Sequence, residues 1–243
     1  MIKKDINLQH SPYGQGPYGG GVYLAAASIT NVLMRMQAYF GLRGDLVEIG
    51  VLEGAYLHQL YSFLNEVEIY YAIDPYPKHP SLKEKVRSDF QSRYGKEHRI
   101  HFVYESSIDI SSEMFEREGS AGVRFVSIDG DHSEKYVLND LVLAKEILIN
   151  GGIIAVDDYF DRYSPGVSVA MTKFFIEKNN DKLAILISGG NKVFLTTKKD
   201  YPKYRLLFEK FTNINYVKSC SDIEWFGQPV FFTEEILSDM LPF

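Results

Sequence analysis

The chain has 243 residues, 45% of them hydrophobic, and a formal charge of −6, which is enough apolar material for one α/β domain with insertions or for two small ones. The acidic balance and the lack of any basic block argue against a surface for phosphate backbones, so nucleic acid is not an expected partner. The only cysteine, Cys220, excludes an internal disulfide and a multi-cysteine zinc site and fits a reducing compartment.

The opening MIKKDINLQH has no apolar stretch of the kind a secretory leader needs, and the longest nearly apolar run, residues 22–34, is too short to cross a bilayer and meets Arg35. The expectation is a cytoplasmic protein with no membrane partner. Residues 14–21, GQGPYGGG, predict a flexible loop ahead of a helix-like run that begins near Val22. It reads either as a mobile arm or as a lid that folds Tyr13 and Tyr18 over a ligand.

Beyond Gly41, short β-branched and aromatic runs predict strands at residues 46–49, 69–73, 100–104, 123–128 and 153–156. Leu57, Leu60, Tyr61 and Leu64 form one helical stripe between them; Val137, Leu141, Ala144 and Leu148 form another. Strands alternating with helices predict a parallel sheet covered on both faces. A helical stretch over residues 167–178 then leads to residues 183–187, and only SGGN separates these from residues 193–196, so the last two strands must form an antiparallel hairpin. The organisation that follows is an N-terminal arm and helix over 1–40, a core over 41–199, and an extension over 200–243 that packs on the core or forms an interface. A homo-oligomer is left open.

The first strand ends in VEIGVLEGAYL, where Gly50 and Gly54 flank a strand-to-helix turn that lets backbone amides approach a ligand. The spacing is not the G-x-G-x-x-G fingerprint, and such a turn also arises for steric reasons alone. The second strand ends at Asp74, placed to accept hydrogen bonds from ribose hydroxyls, with Pro75 and Pro77 stopping the strand there. Ser106, in YESS after the third strand, suits an adenine edge or, equally, an ordinary turn or helix cap.

VEIGVLEG, Asp74, IDGDH and GGIIAVDDYF together resemble the class I S-adenosylmethionine-dependent methyltransferases over roughly residues 40–200. Within them, the chain is most similar to the branch of macrolide-sugar O-methyltransferases of the macrocin and mycinamicin type, with catechol O-methyltransferase a more distant relative. The resemblance implies a Rossmann-like seven-stranded, mostly parallel sheet ending in an antiparallel strand. It implies that S-adenosylmethionine is held by Glu48 at its methionine end, across the turn of Gly50 and Gly54, by Asp74 at the ribose and by Ser106 near the adenine, with Asp129 also on the cofactor side. Tyr56 departs from the pattern, since many relatives have serine or threonine there.

The fourth strand ends at Asp129 and the fifth at Asp157-Asp158, so in a parallel sheet three carboxylates converge. Like charges this close raise one another's pKa unless a cation or donor compensates, and no lysine or arginine lies between Asp129 and Asp131 or beside Asp157. A divalent metal held by Asp129, Asp157 and Asp158, Mg2+ or Mn2+ with water in the open positions, is the simplest answer. Such an ion would bind and acidify a substrate hydroxyl, and His132, three residues after Asp129, would take its proton. The resemblance implies the same roles. Asp131 reads as a helix-capping or supporting residue.

The function expected is metal-dependent O-methylation of a small-molecule hydroxyl, on a sugar or other natural product. One alternative is a metal-independent N- or O-methyltransferase whose acids bind a cationic substrate. The other is a non-catalytic binding module, which would have no need of the acidic cluster. Taken singly, each acid also reads as a solvated turn former and His132 as a helix cap.

Overall fold

The computed structural model describes residues 21–95, 99–213, 217–218, 221–233 and 235–236. Tyr13, Tyr18 and Cys220 lie outside the described residues. In chain order, α1 (Leu24–Tyr39) precedes β1 (Asp45–Ile49), α2 (Ala55–Tyr61), β2 (Tyr70–Ile73), α3 (Pro80–Tyr94), β3 (Ile100–Val103), β4 (Val123–Ile128), α4 (Glu134–Ile147) and β5 (Leu148–Val156). Then come α5 (Pro165–Lys173), β6 (Leu183–Gly189), β7 (Lys192–Thr197), α6 (Tyr201–Asn213), β8 (Val217–Lys218), β9 (Ser221–Trp225), β10 (Gln228–Phe232) and β11 (Glu235–Ile236). Among the described residues no helix is long and apolar enough to cross a membrane.

The strands order as β3-β2-β1-β4-β5-β7-β6-β10-β9. β1 to β5 are parallel, while β7 runs antiparallel between β5 and β6. The predicted mostly parallel sheet with its antiparallel hairpin is therefore present, but among the described residues it has nine strands where seven were expected. The additional pair, β9 and β10, turns through Phe226 and Gly227 at φ 48° and 73°. A two-residue hairpin turn with both φ positive normally advertises itself as Asn-Gly or Asp-Gly; phenylalanine in the first place hid it.

Other differences are local. β5 starts at Leu148, five residues earlier than expected, because Leu148 already pairs with Val123; an irregular stretch with Gly151 at φ 78° follows before regular pairing resumes at Ile153. α2 stops at Tyr61, and Leu64 packs against the core from the loop beyond. The stretch predicted as one helix over 167–178 is α5 followed by a wider turn over Phe174–Lys178.

Alternation along the strands serves two cores. Leu46 and Phe125 join α1, α2, α3 and α6 through Ile29, Leu57, Phe90 and Phe208; Val47 and Val126 join α4 and α5 through Leu141 and Met171. Each such fully buried side chain contributes ~1.5–3 kcal/mol of hydrophobic stabilisation. At the edge where the parallel strands begin, buried Arg124 pairs with Glu68 at 2.9 Å and donates to Gln37 Oε1 and to the Gly44 and Phe63 carbonyls. This ion pair is fully hydrogen-bonded, as burial demands.

At the opposite edge the ends of β1 and β4 touch. Gly50, at φ 88°, lies so close to β4 that an added Cβ would fall 2.0 Å from the Asp129 carbonyl oxygen. Gly41, at φ 70°, has nothing within 4 Å of such an atom. Both alanine variants carry the positive-φ strain of about 1–3 kcal/mol, so Gly50→Ala is expected to lose clearly more stability than Gly41→Ala in urea titrations. Equal losses would contradict the close approach.

Candidate active site

The C-terminal ends of the parallel strands open on a cleft of about 740 Å³, within the range of about 300–1,000 Å³ typical of small-molecule sites. Glu48, Gly50, Asp74, Ser106, Asp129, His132, Asp157 and Asp158 all line it, and Gly54 heads α2 beside it. The candidate cofactor, metal and base residues thus lie at or beside one strand edge.

On the side of β1 to β3, Asp74 ties the turn together. One of its oxygens accepts the Val51 and Leu52 amides at 3.1 and 2.9 Å, and the other accepts the Tyr76 amide at 2.7 Å. Glu48 is buried and accepts a 2.5 Å hydrogen bond from the Tyr70 hydroxyl. Burial pushes its carboxyl up to about 8, with the Tyr70 bond opposing and the Asp129 charge adding. Ser106 precedes a short 3-10 turn, Ser107–Asp109, whose Asp109 amide donates to the Ser106 carbonyl. Tyr56, which also lines the cleft, has its hydroxyl 2.6 Å from Thr30 Oγ1.

On the other side, the register Ile128↔Val156 sets Asp129 next to Asp157. Asp158 follows at φ 59°, a left-handed conformation that turns its side chain back toward His132. The imidazole bridges the two strand tips, with Nε2 3.5 Å from Asp129 Oδ1 and Nδ1 3.2 Å from Asp158 Oδ2. Ser164, ahead of α5, lies 3.0 Å from the same Nδ1. The Asp129 carboxylate beside it, more than burial opposes, holds the imidazole above its usual range. Asp131 accepts the Ser133 amide at 2.8 Å in a local turn leading into α4.

The residue that sequence reasoning missed is Lys192. β7 runs antiparallel to β5 with Val193 opposite Val156, so the residue before Val193 falls beside Asp157. Its ammonium is 2.6 Å from Asp157 Oδ2, 3.4 Å from Asp129 Oδ2 and 4.7 Å from the centre of the Tyr56 ring, and its side chain is only 2% exposed. Burial opposes the charge, but Asp157 and Asp129 keep it. Burial would raise Asp129 too; Lys192 and His132 nevertheless bring it down to about 2. Burial and the Asp129 charge push Asp157 upward.

The expectation that a divalent metal is the simplest balance for these acids meets an alternative in the fold, because a cation of the chain itself lies among them. The expected ligand set is also divided: Asp157 pairs with Lys192, and the group whose ligand atoms lie within 4.8 Å of one another is Asp129, His132 and Asp158. Antiparallel pairing of the hairpin beside the fifth strand was the signal that could have found Lys192.

Residues 47–159 match the family model described as a methyltransferase domain. No relative is found among curated proteins. Among solved structures, the O-methyltransferase NovP is 15% identical with a TM-score of 0.60, covering 72% of this chain and 80% of that one. CalS11, a TDP-rhamnose 3'-O-methyltransferase of calicheamicin biosynthesis, is 14% identical with a TM-score of 0.56, covering 70% and 77%. TomG from Streptomyces achromogenes, an O-methyltransferase of tomaymycin synthesis solved with S-adenosylmethionine, is 17% identical with a TM-score of 0.53, covering 70% and 78%. At this identity the likeness is one of fold. The matched stretch ends at Tyr159, and Lys192 lies beyond it.

Glu48 offers a pH test. The folded protein keeps its proton to about 8, whereas an unfolded glutamate releases it near 4.5, so the folded state binds more protons in that window and stability falls as pH rises through it. Glu48→Gln keeps an acceptor for Tyr70 and removes the titration. Denaturant titrations at about pH 5 and about pH 8 should show a smaller drop for the variant than for the wild type; equal drops would mean that Glu48 is ionised throughout.

Proposed function

We propose that the chain is an S-adenosylmethionine-dependent O-methyltransferase acting on a hydroxyl of a sugar or other small natural product. The observation that carries this reading is the position of His132 between Asp129 and Asp158 in the same cleft as Glu48, Gly50 and Asp74. The O-methyltransferases of similar fold, including one solved with S-adenosylmethionine and one named for a sugar substrate, support it.

S-adenosylmethionine, when bound, supplies a methyl group on a positively charged sulfur. Glu48 and the Gly50–Gly54 turn are suited to its methionine end and Asp74, with Ser106, to its nucleoside. His132 accepts the acceptor's hydroxyl proton while the oxygen forms its bond to the methyl carbon and the sulfur keeps the electrons of the broken bond. Asp129 and Asp158 hold the imidazole in place and stabilise it once protonated, and the cleft supplies alignment of oxygen and methyl.

A second reading retains a divalent ion, Mg2+ or Mn2+, because Asp129, His132 and Asp158 bring their ligand atoms within 4.8 Å of one another. Bound there, an ion would acidify the hydroxyl, but it would compete with His132's role as base.

Isothermal titration with S-adenosylmethionine and its demethylated product tests the first reading, and absence of binding at millimolar concentration would refute it. With an accepted substrate, His132→Ala is expected to lower turnover by roughly 10²–10⁴ while leaving cofactor affinity intact. An unchanged rate would place the base elsewhere, and loss of turnover in EDTA would favour the second reading.

A further inference from the structure

We infer that Lys192 is a built-in counter-cation that stands where a metal ion bridging Asp129 and Asp157 would stand, and that it makes this acidic centre independent of divalent metal. The inference rests on the methyltransferase reading of the cleft, and it goes further by giving that centre its charge balance.

The argument is an account of the carboxylate oxygens. Asp157 Oδ2 meets the Lys192 ammonium at 2.6 Å and Asp157 Oδ1 accepts the Asp158 amide at 3.0 Å. Asp129 Oδ2 faces the same ammonium at 3.4 Å, and Asp129 Oδ1 faces His132 Nε2 at 3.5 Å. Asp158 Oδ1 accepts the side-chain amide of Asn191, and Asp158 Oδ2 lies 3.2 Å from His132 Nδ1 and 3.4 Å from Ser164 Oγ. Every oxygen of the three acids thus has a partner from the chain, and the two acids on neighbouring strand tips share one nitrogen. A Mg2+ ion bridging them would need oxygens at roughly 2.0–2.1 Å from a point that the ammonium already crowds.

Lys192 cannot step aside easily. Its side chain is buried, its ammonium lies over the Tyr56 ring, and Tyr56 is fixed by Thr30. Because it is buried and does not line the cleft, it acts as a positioning residue. It holds Asp129 and Asp157 together, and Asp129 in turn orients His132. Asn191 and Lys192 are consecutive on the β6–β7 hairpin, so one short segment supplies partners to all three acids.

The test is Mn2+ binding followed by electron paramagnetic resonance, with the demethylated cofactor product present. Wild type is expected to bind no Mn2+ at the cleft with a dissociation constant below about 1 mM. Lys192→Met and Lys192→Gln, which remove the charge but fill the space, should bind one Mn2+ at least about tenfold more tightly than wild type. Adding Asp157→Asn to either variant should remove that gain. A purely structural lysine would leave Mn2+ affinity unchanged on substitution, and that result would overturn the inference. Tight Mn2+ binding by wild type would overturn it as well, without any variant having to fold. Failure of the wild type to bind the cofactor product would instead count against the methyltransferase reading, which separates the two.

Discussion

Two acids buried side by side on the tips of neighbouring strands must either share a proton or be balanced by something positive placed between them, and in this protein a cation comes from within the fold. The pairing of β7 against β5 delivers Lys192 to Asp157 and Asp129, and the rest of the centre follows from their positions. Asp129, fixed by Lys192 on one oxygen, presents the other to His132; Asp158, turned back by its left-handed backbone, takes the far side of the ring. Without the ammonium, Asp129 and Asp157 would repel, and the imidazole would lose the fixed end of its cradle.

The contrast with Arg124 shows what kind of site this is. At the other edge of the sheet, Arg124 faces one glutamate and neutral acceptors, so charge and hydrogen bonds are matched and nothing points to solvent. Lys192 faces two carboxyl groups from neighbouring strand tips, and His132 closes the cluster with a side chain still 36% exposed. A structural ion pair is complete in itself; a cluster completed by an accessible imidazole is arranged to exchange protons with what enters.

Much of this was legible in the sequence because it depended on local order. Apolar runs of strand length placed β1 to β4 within a residue or so, and acids directly after β2, β4 and β5 were placed at one edge as soon as the strands were taken as parallel. What was not legible was long-range. Lys192 is 35 residues from Asp157, and only the neighbour relation of β5 and β7 joins them, a relation that periodicity does not express. The β9–β10 hairpin was hidden for a different reason, since Phe226 adopts a turn conformation that its residue type disfavours.

Asp74 joins the two halves of the cleft. By accepting the Val51 and Leu52 amides it holds the chain immediately after Gly50, and Gly50 in turn is pressed against the backbone of Asp129. The turn suited to a cofactor and the strand tip that carries the first acid are therefore one mechanical unit. A shift of the turn would move the Asp129 backbone, and with it the oxygen that faces His132. Interactions that hold a base to within a fraction of an ångström of its working position contribute to rate through alignment, and here the alignment runs from β2 through β1 to β4 by the Asp74 carboxylate and the close backbone approach of Gly50 to Asp129. The hairpin of β6 and β7 completes it from the opposite side of the sheet, so the centre is held between two elements far apart in the chain.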